Sequence, residues 1–183
     1  MPETEPRKTR KTYNVPGHAH ELTFSVHRRG MHLLQPGIAE AFLDNLVRTS
    51  DELRFDIWAY VLMPEHVHLL IWPREEPYDI STILRELKVP VAQKAFELHP
   101  DLRKLLAVPR KGRPPETRFW QPGGGYDRNM FTPKVIEAAI EYIHMNPVRR
   151  GFVEAATDWP WSSARNYAGL QGEIPVVLYS WQS

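Results

Sequence analysis

A chain of 183 residues and 21.3 kDa, with 23 Lys and Arg against 22 Asp and Glu and no cysteine, describes one domain or one domain with tails. Folding at this length hides about two thirds of the unfolded surface, so no disulfide or structural metal is needed to hold a core; the missing cysteine excludes thiolate zinc sites, iron–sulfur clusters and cysteine nucleophiles. The net charge of +1 gives no hint of a nucleic-acid partner, and the longest apolar run, residues 67–72, falls far short of the roughly 18 residues that span a bilayer.

Residues 1–12 mix Pro, Glu, Thr, Arg and Lys without a hydrophobic period and read as a flexible basic arm. They do not resemble a signal peptide, so the expected location is cytoplasmic, with no membrane partner. Leu22, Phe24 and Val26 alternate with Thr23 and Ser25, the period-two mark of a half-buried strand over residues 20–28. Ile38, Phe42, Leu43, Leu46 and Val47 recur at helical spacing and predict a helix over residues 37–53. Residues 55–63 and 66–72 are rich in β-branched and aromatic residues and are split by Met63-Pro64-Glu65, which predicts two antiparallel strands and a short turn.

Ser81 is a candidate N-cap for a helix reaching Leu98, which Pro90 must bend, shift or divide. Residues 99–118 hold four prolines and a basic cluster and read as a loop. A short strand is expected within residues 121–130, around Gly123-Gly124-Gly125. Thr132-Pro133 then starts a helix that Pro147 should end after Asn146. The first six elements follow the βαββαβ order of a ferredoxin-like α+β sandwich with an antiparallel sheet, joined by a further helix. The division is an arm over residues 1–12, a domain over 13–150 and an extension over 151–183, whose Trp159-Pro160-Trp161 should dock on the body.

His66 and His68 stand one residue apart in a predicted strand and so share a face, about 7 Å apart along the backbone, while Val67, Leu69 and Ile71 keep the other face for the core. Two imidazoles so placed can hold one metal ion if a third group approaches; the other reading is a pair of partly buried histidines hydrogen-bonded to neighbours. Tyr142 and Asn146 sit one turn apart on the last helix and can address one point, or can be a core-rim tyrosine and a helix stop. His144 lies roughly 200° around that helix from Tyr142 and is a poor choice of base. His18, His20, His27, His32 and His99 have no such partner pattern, and Glu65 either hydrogen-bonds near the histidine pair or is simply solvated.

The ordered stretches Met63-Pro64-Glu65-His66-Val67-His68-Leu69-Leu70, Phe119-Trp120-Gln121-Pro122, Glu141-Tyr142-Ile143-His144-Met145-Asn146-Pro147-Val148-Arg149-Arg150-Gly151 and Asp158-Trp159-Pro160-Trp161-Ser162-Ser163 resemble the REP-associated tyrosine transposases. These are single-tyrosine HUH transposases of the insertion-sequence type, U being a hydrophobic residue, here Val67. The likeness covers about residues 13–168. It implies an HUH domain that binds single-stranded or hairpin DNA, with palindromic repeat elements as the expected partner, and cuts it with a tyrosine. Residue by residue it makes His66 and His68 metal ligands, Tyr142 the nucleophile and Asn146 the group that completes the metal site, where related enzymes often carry the longer Gln. The implied cofactor is Mg2+ or Mn2+. Imidazole chemistry by itself favours manganese or zinc over magnesium.

In that reading the phenol attacks phosphorus and leaves a 5′-phosphotyrosine and a free 3′ hydroxyl, so no nucleotide cofactor is needed. The resemblance leaves monomer and homodimer open, the tyrosine meeting the histidines of its own chain or of a partner. Two alternatives stand beside it: a hairpin-binding protein that no longer cuts, and a metal-dependent phosphoesterase that activates water.

The neutral balance is an average. Residues 7–29 carry Arg7, Lys8, Arg10, Lys11, Arg28 and Arg29 against Glu21, and residues 103–118 carry Arg103, Lys104, Arg110, Lys111, Arg113 and Arg118 against Glu116. Arg7, Lys8, Arg10, Lys11, Arg28, Arg29, Arg110, Lys111 and Arg113, with Lys88, Arg149 and Arg150, are the candidate phosphate contacts. Phe119, Trp120 and Tyr126 are candidates for stacking on bases.

Overall fold

The computed structural model describes residues 14–180. In chain order it contains β1 (Ala19–Ser25), α1 (Ile38–Glu52), β2 (Phe55–Leu62), β3 (His66–Pro73), α2 (Ile80–Leu98), α3 (Leu102–Leu105), β4 (Ala107–Arg110), β5 (Arg113–Thr117), β6 (Tyr126–Met130), α4 (Pro133–Arg149) and α5 (Ala164–Tyr167). Four strands form one antiparallel sheet in the order β2-β3-β1-β6. This is the strand order of the expected ferredoxin-like sandwich, with β4 and β5 as a separate hairpin inserted before the last sheet strand.

The sheet is covered on both faces. Leu22 and Phe24 of β1 and Val67, Leu69 and Ile71 of β3 meet Ile38, Phe42 and Leu46 of α1 and Ile83, Leu87 and Val91 of α2 in one apolar core. On the other face Ala59, Val61, Leu70 and Met130 meet Ile136, Ala139, Ile140 and Ile143 of α4 in a smaller one. A register shift between Ile57 and Ala59 lets β2 serve both. Before it the odd residues Phe55 and Ile57 face α1; after it the even residues Tyr60 and Leu62 do.

Several expectations change in detail. Asp79, not Ser81, caps α2, accepting from the backbone N–H of Ser81 at 3.1 Å and of Thr82 at 3.0 Å. Pro90 neither ends nor divides α2. A proline N–H is missing and the carbonyl four residues earlier loses its donor. The Asn45 amide fills that gap, donating to the carbonyls of Glu86 at 3.0 Å and Leu87 at 3.1 Å. Residues 99–118 are not a loop: they hold α3 and the β4–β5 hairpin, since a two-stranded ribbon is all edge and tolerates Pro109, Pro114 and Pro115.

The strand expected within residues 121–130 begins only at Tyr126, because Gly125 needs a positive φ (79°) and a Cβ there would lie 2.2 Å from the Thr23 carbonyl oxygen. Helix α4 runs through Pro147 to Arg149. Its stop is Gly151, at φ 71°, whose N–H returns to the Val148 carbonyl at 2.9 Å.

Beyond α4 the chain lines the outer edge of β2. Leu62 donates to the Trp161 carbonyl at 2.8 Å, Ser163 to the Tyr60 carbonyl at 3.0 Å and Val177 to the Ile57 carbonyl at 2.9 Å. The Trp159 indole N–H donates to the Leu62 carbonyl at 2.9 Å. An edge that would expose unpaired N–H and C=O groups is thereby covered.

Candidate active site

Strand alternation turns His66 and His68 toward α4, and the β1 register sets Thr23 opposite His68. The two rings are nearly perpendicular, with Nε2 atoms 3.1 Å apart. Each Nδ1 is occupied on its far side: Glu65 Oε1 lies 3.0 Å from that of His66, and Thr23 Oγ1 2.8 Å from that of His68. Burial depresses the pKa of both histidines. His68 is pushed down to about 3, with the neighbouring His66 adding to the effect. For His66 burial is again the main cause; Glu65 opposes it, and Arg150 and Arg29 reinforce it. Both imidazoles are therefore neutral at neutral pH.

The α4 helix brings the phenol. The Tyr142 ring lies 5.5 Å from that of His68, edge to face, within the same chain, and is 44% exposed. Tyr142, Asn146 and Arg150 recur every four residues and form one stripe. At one end of it Tyr142 meets His68; at the other Arg150 pairs with Glu65, which holds His66. Asn146 is buried between these two contacts. The Arg149 guanidinium lies 4.9 Å from the centre of the Tyr142 ring. Burial pushes the Glu65 carboxyl up, but the Arg150 hydrogen bond and the positive charges around it outweigh that and hold it below the usual carboxylate range.

A cleft of about 640 Å³ opens beside the phenol, lined by Glu21, Thr23, His68, Arg128, Lys134 and Tyr142. Burial raises the pKa of Glu21, and Arg128, opposite it on β6, works against the shift.

The donor set suits one divalent ion. Two nitrogens bound to a common ion at about 2.1 Å, at octahedral to tetrahedral angles, stand about 3.0 to 3.5 Å apart, and the two Nε2 atoms are within that range. Among the described residues no group of three or more His, Asp or Glu converges, so a third ligand from these residues would be of another type, such as the Asn146 amide.

The other basic residues are placed differently. Arg28 and Arg29 are exposed at consecutive positive φ angles of 55° and 53° in a short turn over His27–Arg29, and Arg29 is near enough to His66 to act on its pKa. Arg110, Lys111 and Arg113 are exposed at the turn of the β4–β5 hairpin. The Lys88 ammonium donates to the Gly123 carbonyl at 2.9 Å and holds the glycine loop. Phe119 and Trp120 do not face bases: both are core residues, and the Trp120 indole N–H donates to the Lys88 carbonyl at 2.7 Å. Arg7, Lys8, Arg10 and Lys11 lie outside the described residues.

Sequence reasoning misses Thr23 as a site residue, and it takes Glu65 as a candidate neighbour of the histidine pair and Arg150 as a phosphate contact without joining them. A strand register would have found Thr23; nothing local signals an ion pair 85 residues apart. His144 points away from the site, as its helix angle requires, and its Nε2 lies 2.8 Å from Ser163 Oγ in the C-terminal extension.

Comparison with known proteins fits this geometry. The chain is 27% identical over 118 residues to the REP-associated tyrosine transposase of Escherichia coli, a match covering 64% of this chain and 59% of that protein. It is 28% identical over 116 residues, 63% of the chain and 62% of the relative, to a Haemophilus influenzae homologue given the same family name. The chain thus spans about three fifths of the length of these relatives. Its fold is that of a REP-associated tyrosine transposase bound to a REP hairpin, with a TM-score of 0.66 at 22% identity, covering 96% of this chain and 95% of the other. The model of the IS200-like transposases matches residues 15–146, a stretch that holds His66, His68, Tyr142 and Asn146, and the chain belongs to that family.

Proposed function

We propose that this protein nicks and rejoins single-stranded or hairpin DNA through Tyr142, with a divalent ion, Mg2+ or Mn2+, held by His66, His68 and Asn146. The observation that carries the reading is the meeting of Tyr142 with His68 inside one chain, beside two facing Nε2 atoms. It supports a site complete in the monomer. The ion would polarise the scissile phosphate and neutralise charge on the departing 3′ oxygen.

The remaining steps belong to the chain. The Tyr142 oxygen forms a bond to phosphorus as the bond from phosphorus to the 3′ oxygen breaks, giving a 5′-phosphotyrosine and a 3′ hydroxyl. The phenol proton leaves through the cleft, since Tyr142 is 44% exposed and His144 is turned to Ser163. Arg149, on the phenol ring, stabilises negative charge that develops on the tyrosine oxygen. Reversal by the same 3′ hydroxyl, or by another strand, rejoins DNA without an external energy source.

Arg28, Arg29, Arg110, Lys111 and Arg113 offer exposed positive charge to phosphates. The hairpin-bound structural neighbour supports a folded-back DNA substrate. No described helix is long and apolar enough to cross a membrane.

The test is incubation with a labelled hairpin oligonucleotide and Mn2+, followed by a denaturing gel. A protein-linked DNA band that vanishes with chelator is expected. Binding without that band under any divalent ion would leave a hairpin-binding protein, and cleavage without it a phosphoesterase.

A further inference from the structure

We infer that Glu65 and Arg150 form a latch that orients His66 for metal binding and docks the tyrosine helix on the histidine strand, making both of them positioning residues. The inference rests on the metal-dependent reading above and extends it to residues that act through His66 and the end of α4.

Hydrogen-bond logic fixes the direction. Arg150 can only donate, and it meets the same Glu65 oxygen, Oε1, that faces His66 Nδ1 at 3.0 Å. That oxygen is an acceptor, so His66 carries its proton on Nδ1 and presents its lone pair at Nε2, the atom 3.1 Å from His68 Nε2. The other Glu65 oxygen is buried and has no hydrogen-bond partner among the described residues, so the side-chain contacts that orient the carboxylate are those of Arg150 and His66. The Glu65 backbone is fixed as well: its carbonyl accepts from the Val26 N–H at 2.9 Å, and Met63 donates to the His66 carbonyl at 2.8 Å.

Arg150 is the C-cap of α4, two turns beyond Tyr142. One carboxylate oxygen therefore joins the end of the helix that carries the phenol to the strand that carries the imidazoles. A change in the position of α4 is felt at His66, and loosening His66 frees the end of α4.

The experiment uses the full chain without DNA. Ring nitrogen-15 shifts of His66 are read by NMR in the metal-free protein, and Mn2+ affinity by electron paramagnetic resonance of the free ion, for the wild type and the Glu65→Ala, Glu65→Gln and Arg150→Met variants. The wild type should show the Nδ1–H tautomer. Glu65→Ala should lose that preference and bind Mn2+ about ten- to a hundredfold more weakly. Glu65→Gln, which keeps an acceptor oxygen, should restore the tautomer. Arg150→Met should weaken Mn2+ binding in the same direction, and adding it to Glu65→Ala should cost nothing further, because both act through one oxygen.

Arg150 sits at the partly exposed end of the helix, so its variant tests the latch even if Glu65→Ala fails to fold. A wild type that shows the expected tautomer, loses it in Glu65→Ala and binds no Mn2+ would overturn the metal reading and leave the latch standing. A His66 ring unchanged in both Glu65→Ala and Arg150→Met, or Mn2+ affinities within twofold of the wild type, would overturn the latch.

Discussion

The two faces of the sheet are built to different ends. Toward α1 and α2 the inward residues of β1 and β3 are apolar except His20, which is buried against Asp127 and Tyr78 at the end of β1, and the core closes, with Phe24, Phe42 and Trp120 packed ring against ring at centroid distances of 5.2 to 6.4 Å. Toward α4 the apolar contact stops partway: Leu70 continues it, whereas His68, His66 and Thr23 replace it with polar groups, and α4 answers with Tyr142, Asn146 and Arg150. One strand, β3, makes both surfaces by alternation. Stability and chemistry are thus separated across a single layer of backbone, and substitutions on the two faces should fail in different ways.

The sharpest break of that division is Phe42→Ala, which should lower unfolding free energy by about 3 to 5 kcal/mol in chemical denaturation. A loss below 1 kcal/mol would show that the α1 face is not the main support. Acid should act from the other face. His144, on the side of α4 that packs against the C-terminal extension, is held by burial at a pKa of about 4. A folded pKa below the unfolded value of 6.5 means that the unfolded chain binds the proton more readily. The stabilisation is complete above pH 6.5 and is lost as pH falls toward 4, by up to about 3 kcal/mol from this residue. His66 and His68 add loss in the same direction when no metal is bound. Denaturation midpoints between pH 7 and pH 4 check this, and a His144→Asn variant should flatten the dependence.

Asn45→Ala, which removes the donor to the Glu86 and Leu87 carbonyls beside Pro90, should cost about 1 to 3 kcal/mol by the same assay. Ser163→Ala removes the acceptor for the Tyr60 N–H and the partner of His144, and should cost about 1 to 2 kcal/mol. Tyr142→Phe should change stability by less than about 0.5 kcal/mol, because its hydroxyl is on an exposed residue. It therefore isolates the chemistry.

Much of this was legible from local pattern. Period-two alternation placed His66 and His68 on the face opposite Val67 and Leu69, and helical spacing put Tyr142 and Asn146 one above the other. The ferredoxin-like strand order followed from the order of elements. What the sequence hid depends on contacts distant along the chain. Helix α2 reaches Leu98 as expected, but proline chemistry alone does not show that Asn45, 45 residues away, donates to the carbonyls of Glu86 and Leu87 beside Pro90. Pro147 reads as a stop, yet α4 continues past it to Arg149 and ends at Gly151, whose positive φ the local proline rule does not weigh. The prolines of residues 99–118 suggested a loop because proline is excluded from sheet interiors, a rule that does not bind a two-stranded ribbon. Arg150 reads as a phosphate contact from its place after the tyrosine helix, and nothing in its neighbourhood announces its pairing with Glu65.

The most direct measurement is mass spectrometry of the tryptic peptides after reaction with a hairpin oligonucleotide and Mn2+, to find the residue that carries DNA. A 5′-phosphonucleotide on Tyr142, absent when the Tyr142→Phe variant is used, is the expected result. A DNA adduct on any other residue, or one that forms equally in Tyr142→Phe, would contradict the assignment of the α4 face to phosphotyrosine chemistry.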